Sequence, residues 1–175
     1  MRCECDALYR AMVIMKGTVA YDSVFGNTGQ VASAIAEELE KAGHEVALVN
    51  LRASRDVPAA GDFLFVGSPT RVAKMTGKSK RFVKKLDVKV WGARPVAIFD
   101  THMAYPEDPK ERAKSLKWIE PGAAGRLSAL ATERGLSVRG PPLRCVVKDM
   151  KGPLAEGQLE KAREYARQFA ASLGT

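Results

Sequence analysis

Val19-Ala20-Tyr21-Asp22-Ser23-Val24-Phe25-Gly26-Asn27-Thr28 is the stretch on which the reading of this chain turns. A run rich in Val, Ile and Tyr between Val13 and Tyr21 predicts a strand. It gives way to a small polar loop, Asp22 to Thr28. Val31, Ile35, Ala36 and Leu39 then recur at helical spacing, with Glu37, Glu38 and Lys41 on the other face. Gly43 is placed to stop that helix. The order is therefore strand, tight loop, helix N-terminus. Gly26 allows a sharp turn and a close approach to a ligand. A helix N-terminus offers unpaired N–H groups and the positive end of its dipole, both of which favour an anion. Ser23, Asn27 and Thr28 add side-chain donors. Two readings stand at this point: a phosphate cradle, or a helix start capped by Asn27 or Thr28. The Gly-Lys-Ser/Thr ending of a Walker loop is absent, as are the glycines of a G-x-G-x-x-G turn.

The alternation continues along the chain. Glu45 to Leu51 predicts a second strand. Phe63-Leu64-Phe65-Val66 is a third, apolar throughout, as in parallel strands buried on both faces. It ends at Gly67-Ser68-Pro69-Thr70. A helix from Lys78 to Asp87 follows, burying Phe82, Val83 and Leu86. The fourth strand, Pro95 to Phe99, ends at Asp100-Thr101-His102 and leads into a long polar stretch. A helix is predicted over 121–134. Leu136 to Val147 is strand-like but broken by Pro141-Pro142, which suits an edge or a bulge. The last helix is predicted over 155–172, with Leu159, Ala162, Ala166 and Phe169 inward. Five strands alternating with helices predict a doubly wound α/β sheet. Such sheets bind ligands at the carboxyl ends of their strands. The loops 23–28, 68–77 and 101–108 lie there.

The 175 residues are 46% hydrophobic and 27% charged, which fits a globular chain rather than a disordered or membrane-embedded one. Residues 15–175 read as a single domain. Residues 1–14 read either as an extension or as a start assigned too early. No apolar stretch reaches the roughly 18–20 residues that span a bilayer, and no signal-like apolar region follows Met1. Cys3, Cys5 and Cys145 are too few for a disulfide framework, so a cytoplasmic location is expected. Cys3-x-Cys5 lacks a companion pair for a metal, and no metal site is expected. Hydrolase motifs are missing.

The chain has 28 basic and 20 acidic residues, a net charge of +8. Nine of the basic residues fall between Arg71 and Arg94, opposed by Asp87; elsewhere the two signs balance at nineteen each. The excess is thus one basic segment. Lys74, Lys78, Arg81 and Lys85 are spaced to form a stripe on the helix after the third strand. That stripe suits an acidic partner protein, steered by charge. Aromatics for base stacking are not interleaved with it, and nucleic acid is not the expected partner.

The Ser23–Thr28 loop resembles the hydroxyl-x-Thr-Gly-Asn-Thr signature of the flavodoxin family. Ser23, Gly26, Asn27 and Thr28 match, and Phe25 departs from it. Gly67-Ser68-Pro69-Thr70, Phe99-Asp100-Thr101 and Lys151-Gly152-Pro153-Leu154 resemble a flavodoxin-domain subgroup in the same order. The likeness runs from about Met15 to Leu173. It implies strand order 2-1-3-4-5 and an FMN site. Within that site it implies phosphate contacts from the segment Ser23, Val24, Phe25, Gly26, Asn27 and Thr28. Ring contacts are implied from Ser68, Pro69, Thr70 and Arg71, and from Thr101, His102, Met103 and Tyr105. The second loop has no aromatic residue, so Tyr105 is the expected stacking residue and Trp118 the next candidate. Arg71 beside the ring would stabilise an anionic reduced flavin and raise its potential. His102 is placed to donate a proton or a hydrogen bond.

The resulting expectation is an FMN-binding electron carrier that needs no catalytic side chain, because the chemistry belongs to the cofactor. Two alternatives stay open. One is an FMN-dependent NAD(P)H oxidoreductase acting on quinones or nitro compounds. The other is a flavodoxin-like binding module without flavin.

Overall fold

A computed structural model describes residues 13–54 and 60–173. Residues 1–12, which hold most of the expected extension and Cys3-x-Cys5, lie outside the described residues. Five parallel strands form the sheet: β1 (Lys16–Tyr21), β2 (Glu45–Asn50), β3 (Phe63–Pro69), β4 (Val96–Met103) and β5 (Leu143–Val147). Their order is β2-β1-β3-β4-β5, as the resemblance implied. The helices are α1 (Asn27–Lys41), α2 (Gly77–Lys85), α3 (Val88–Trp91), α4 (Pro109–Ile119), α5 (Gly122–Glu133) and α6 (Gln158–Leu173).

The two-residue period of a strand divides the core. Phe63 and Phe65 of β3 turn to one face and meet Val31, Ile35 and Leu39 of α1 and Ala162, Ala166 and Phe169 of α6. Leu64 and Val66 turn to the other, against Phe82 and Val83 of α2, Trp91 of α3, and Ala124 and Leu127 of α5. Every residue from Phe63 to Ser68 is buried, the condition for a central strand covered on both sides. A Cβ at Gly67 would overlap the Phe99 ring on β4, so this position must be glycine for the two strands to pair as they do.

The described elements depart from the sequence reading in several places, and the fifth strand begins only at Leu143, after Pro141-Pro142. The predicted helix over 78–87 is two: α2 ends at Lys85, and Asp87 caps the short α3 by accepting a hydrogen bond from Lys89 N. The long polar stretch contains α4. Asp108 caps it by accepting from Lys110 N and Glu111 N, and Pro109 fills the first turn. Only Ile119 of α4 is buried, so the helix carries no apolar stripe for periodicity to detect. β3 and β4 run three and four residues beyond their apolar cores, to Pro69 and Met103, carrying Ser68, Asp100, Thr101 and His102 within the ladder. Lys74 lies in a turn ahead of α2, so the helical stripe consists of Lys78, Arg81 and Lys85.

Candidate functional site

At the carboxyl ends of β1, β3 and β4 the three candidate loops converge on a cleft of about 440 Å³. Val24, Phe25, Asn27, Thr28, Pro69, Thr70, Arg71, Thr101, His102 and Met103 all line it. Val72, Trp118 and Met150 complete its apolar rim. No aspartate or glutamate is among the lining residues.

The first loop is built to leave donors free. Gly26 stands at the N-cap of α1 with φ 91°, a left-handed conformation that glycine adopts without steric penalty. The N-cap residue itself offers no side-chain acceptor. Ser23 Oγ instead accepts from Gly26 N at 3.1 Å and Gly29 N at 3.3 Å. The backbone N–H groups of Val24, Phe25, Asn27 and Thr28 find no acceptor among the described residues. Thr28 is only 1% exposed, so its N–H is an orphan of the helix terminus kept from bulk water. Donors left in this way can take an anion or water. Neither Asn27 nor Thr28 caps the helix, as the capped-helix reading required.

The loop's side chains serve to hold it. Thr28 Oγ1 lies 2.8 Å from Thr101 Oγ1, a buried link from the start of α1 to β4. Asn27 Nδ2 donates to Lys151 O at 3.1 Å. Gly152, at φ 103°, makes room for that amide, since a Cβ there would overlap it. Ser23 and Gly26 face a second, more open groove of about 510 Å³ on the α6 side of α1. The first loop therefore stands between two concavities.

The second loop is a tight hairpin. Arg71 N donates to Lys74 O at 2.8 Å and Lys74 N returns to Arg71 O at 3.0 Å. Between them Val72 and Ala73 both have positive φ, 50° and 55°, which is costly for a β-branched residue. Two further bonds fix the turn: Ala73 N donates to Trp118 O, and Arg126 Nε donates to Ala73 O. Arg71 lies with its guanidinium 5.5 Å from the Phe25 ring centroid, closing the cleft between the first two loops. Ser68 is set back from the cleft, accepting from Thr76 N at 3.0 Å and supporting the start of α2.

The third loop holds His102 and Tyr105. His102 Nδ1 lies 2.8 Å from Met103 O. A carbonyl can only accept, so Nδ1 carries the proton and Nε2 of the neutral ring has no partner among the described residues. Burial pushes the His102 pKa below the ordinary value, against the opposing pull of Asp100. Tyr105 does not line the cleft. Its hydroxyl is tied to Glu120 and its ring is covered by Arg112 at 5.0 Å. Trp118, 53% exposed on the rim, is the better-placed aromatic of the two candidates.

Beneath the loops lies an ionic network that sequence reasoning did not find. Asp100, wholly buried, faces Arg144 across the β4–β5 ladder, and Arg144 Nε lies 3.3 Å from both carboxylate oxygens. Arg144 Nη1 also donates to Glu120 at 2.7 Å. Thr70 Oγ1 donates to Asp100 Oδ2 at 2.9 Å, and Ala124 N, in the first turn of α5, donates to the same oxygen. The network thus joins β4, β5, α5 and the second loop. Its one sequence signal was an acidic residue ending an apolar strand. Cys145, next to Arg144, is buried in the core, and that burial pushes its thiol up to about 12, far from reactivity.

A profile of the flavodoxin domain matches residues 18–131, well over half the chain. The chain belongs to the flavodoxin domain family. Solved structures agree on the fold. A flavodoxin from the domain Archaea matches with a TM-score of 0.69 at 22% identity, over 92% of this chain and all of that one. Oxidised Flavodoxin 1 from Bacillus cereus matches at 0.64 and 18% identity, over 89% of this chain and 97% of that one. The flavodiiron core from Synechocystis matches at 0.66 and 19% identity, over 93% of this chain and 36% of that longer one. No match to a curated protein was found by sequence. Among the described residues of this flavodoxin domain, no helix is long and apolar enough to cross a membrane.

Proposed function

We propose that this flavodoxin domain binds FMN in the cleft at the carboxyl ends of β1, β3 and β4 and passes electrons through it. The observation that carries the reading is the set of unpaired N–H groups at Val24, Phe25, Asn27 and Thr28, beside a cleft with apolar walls. Such a cradle takes a phosphate monoester without a lysine. The side-chain hydroxyl expected where Phe25 stands is missing, but the backbone N–H at that position remains available. Trp118, Val72 and Met103 offer apolar surface for a planar ring.

Bound there, FMN supplies reversible electron uptake and release. The protein's own residues supply the rest. The backbone of the first loop fixes the phosphate end. The buried Thr28–Thr101 link keeps that loop in register with β4. Arg71 places a cation beside the cleft, and the lining has no carboxylate to oppose it. His102 Nε2 can accept a hydrogen bond within the cleft. The same nitrogen favours a second reading, FMN-dependent reduction of a quinone or nitro compound by NAD(P)H.

Purified protein stripped of flavin and titrated with FMN tests the proposal. Saturable quenching of flavin fluorescence at one FMN per chain is expected. Absence of binding at tens of micromolar FMN refutes both redox readings and leaves a flavin-less binding module. Steady NAD(P)H oxidation by the loaded protein alone would favour the oxidoreductase over the carrier.

A further inference from the structure

The cleft opens beside an unusual surface. Arg71, Lys74, Lys78, Lys80, Arg81 and Lys84 are all exposed along the second loop and α2, whereas Lys89 and Arg94 lie toward the amino ends of the strands, where Arg94 donates to Gly61 O. Among the described residues none of the first six forms a salt bridge with a carboxylate. Arg71 belongs both to this surface and to the cleft, and the Arg71–Lys74 hairpin leads directly into α2. On the other side of the cleft, Lys117 covers the Trp118 ring at 5.0 Å. The rim between these cations is apolar and open to water: Val72 is 60% exposed, Met150 60% and Met103 43%.

Nearby carboxylates are outnumbered by these cations: Glu107 is exposed beside Pro106, Asp108 caps α4, Glu120 pairs with Arg144 and Tyr105, and Asp149 accepts from Met150 N. Asp87, the one acid within the basic segment, caps α3. The hairpin that presents Arg71 and Val72 is held by the bonds of Ala73 to Trp118 and Arg126, so the surface is already ordered before any partner arrives.

We infer that this face, the α2 cations together with the apolar rim of the cleft, docks an acidic protein that exchanges electrons with the bound cofactor. The inference rests on the electron-transfer reading above and names the partner for it. An acidic protein surface supplies both things the face asks for, carboxylates for the cations and apolar atoms for the rim. A second copy of the chain does not, because an isologous contact through this face sets cation against cation. Nucleic acid would satisfy the cations but leave Val72, Met103 and Met150 facing phosphates. The docking would place the partner over the cleft mouth, where an electron has the shortest path.

The test uses fluorescently labelled acidic two-iron ferredoxin as the probe and follows its anisotropy with the full-length protein, both FMN-loaded and flavin-free. Saturable binding is expected at low ionic strength, weakening at least tenfold between about 20 and 300 mM salt as the charges are screened. The K78E/R81E double variant lies on exposed positions outside the cleft. It is expected to weaken binding at least tenfold and to flatten the salt dependence. Stopped-flow electron transfer from reduced ferredoxin to the loaded protein should follow the same pattern, and basic cytochrome c should show the opposite salt trend. Unchanged affinity in K78E/R81E overturns the inference. So does tighter binding of single-stranded oligonucleotide, or of phosphatidylserine vesicles, that the same variant abolishes. Loss of FMN binding with ferredoxin binding intact would instead refute the electron-transfer reading and leave the docking face standing.

Discussion

Asn27 Nδ2 donates a hydrogen bond to the carbonyl of Lys151, 124 residues further along the chain, at 3.1 Å. The first helical residue after the anion loop is thereby tied to the turn that follows β5. Gly152 sits against the same amide with φ 103° and no room for a Cβ. Gly152→Ala therefore meets two obstacles at once, a left-handed backbone and an overlap with Asn27. It is expected to destabilise the domain by about 1–3 kcal/mol and to weaken FMN binding. Urea unfolding and an FMN titration check the two effects separately. Unchanged affinity would mean that the Asn27–Lys151 link does not order the loop.

The co-occurrence of Gly26-Asn27-Thr28 with Lys151-Gly152-Pro153-Leu154 was visible in the sequence, but its reason was not. Spacing cannot show that one motif's side chain needs the other motif's carbonyl. Local patterns served well where burial is periodic: β3 and the apolar faces of α1 and α6 are where the alternation of their residues put them. They missed α4, whose residues are solvated on nearly every side. They also favoured Tyr105 over Trp118 for stacking. The Tyr105 hydroxyl is claimed by Glu120, a partner fifteen residues away that only the folding of α4 brings near.

Arg144 compensates a carboxylate that is entirely buried. Replacing it with Met removes the cation and leaves Asp100 with only Thr70 and Ala124 N as partners. Arg144→Met is expected to cost about 3–5 kcal/mol, the usual loss when one member of a buried pair is deleted. Chemical denaturation measures it. A cost below about 1 kcal/mol would show that the network does not organise the β4–β5 edge.

Arg71 supplies a cation to a cleft without carboxylates. Reduced flavin is readily anionic, so Arg71→Gln should lower the reduction potential of bound FMN and Arg71→Glu should lower it further. The upper bound is about 4 kcal/mol for a close pair at an effective dielectric near 20. Arg71 is exposed, so solvent screening brings the expected effect nearer about 1 kcal/mol. Spectroelectrochemical titration reads the shift, and an unchanged potential in both variants would place Arg71 away from the ring.

His102 resists protonation in the folded state because it is buried. In the unfolded chain it takes up a proton at its ordinary value near 6.5. Between that value and the lower folded one, the unfolded state binds more protons, so stability falls as pH falls. Wild type should lose stability relative to His102→Gln as pH falls below about 7, by up to about 1.4 kcal/mol per pH unit until the lowered folded value is passed. Urea midpoints across the range test it. Parallel profiles for the two proteins would contradict a buried neutral His102.

The central claim is that the Ser23–Thr28 backbone is a phosphate cradle. It is tested most directly by comparing the affinities of the flavin-stripped protein for FMN and for riboflavin, which differ only in the phosphate. Each charge-assisted hydrogen bond contributes about 1.5–3 kcal/mol, so two or more should separate the ligands by at least about 100-fold. A ratio of that size in favour of FMN is the predicted result. Equal affinities would show that the unpaired N–H groups of Val24, Phe25, Asn27 and Thr28 do not hold a phosphate.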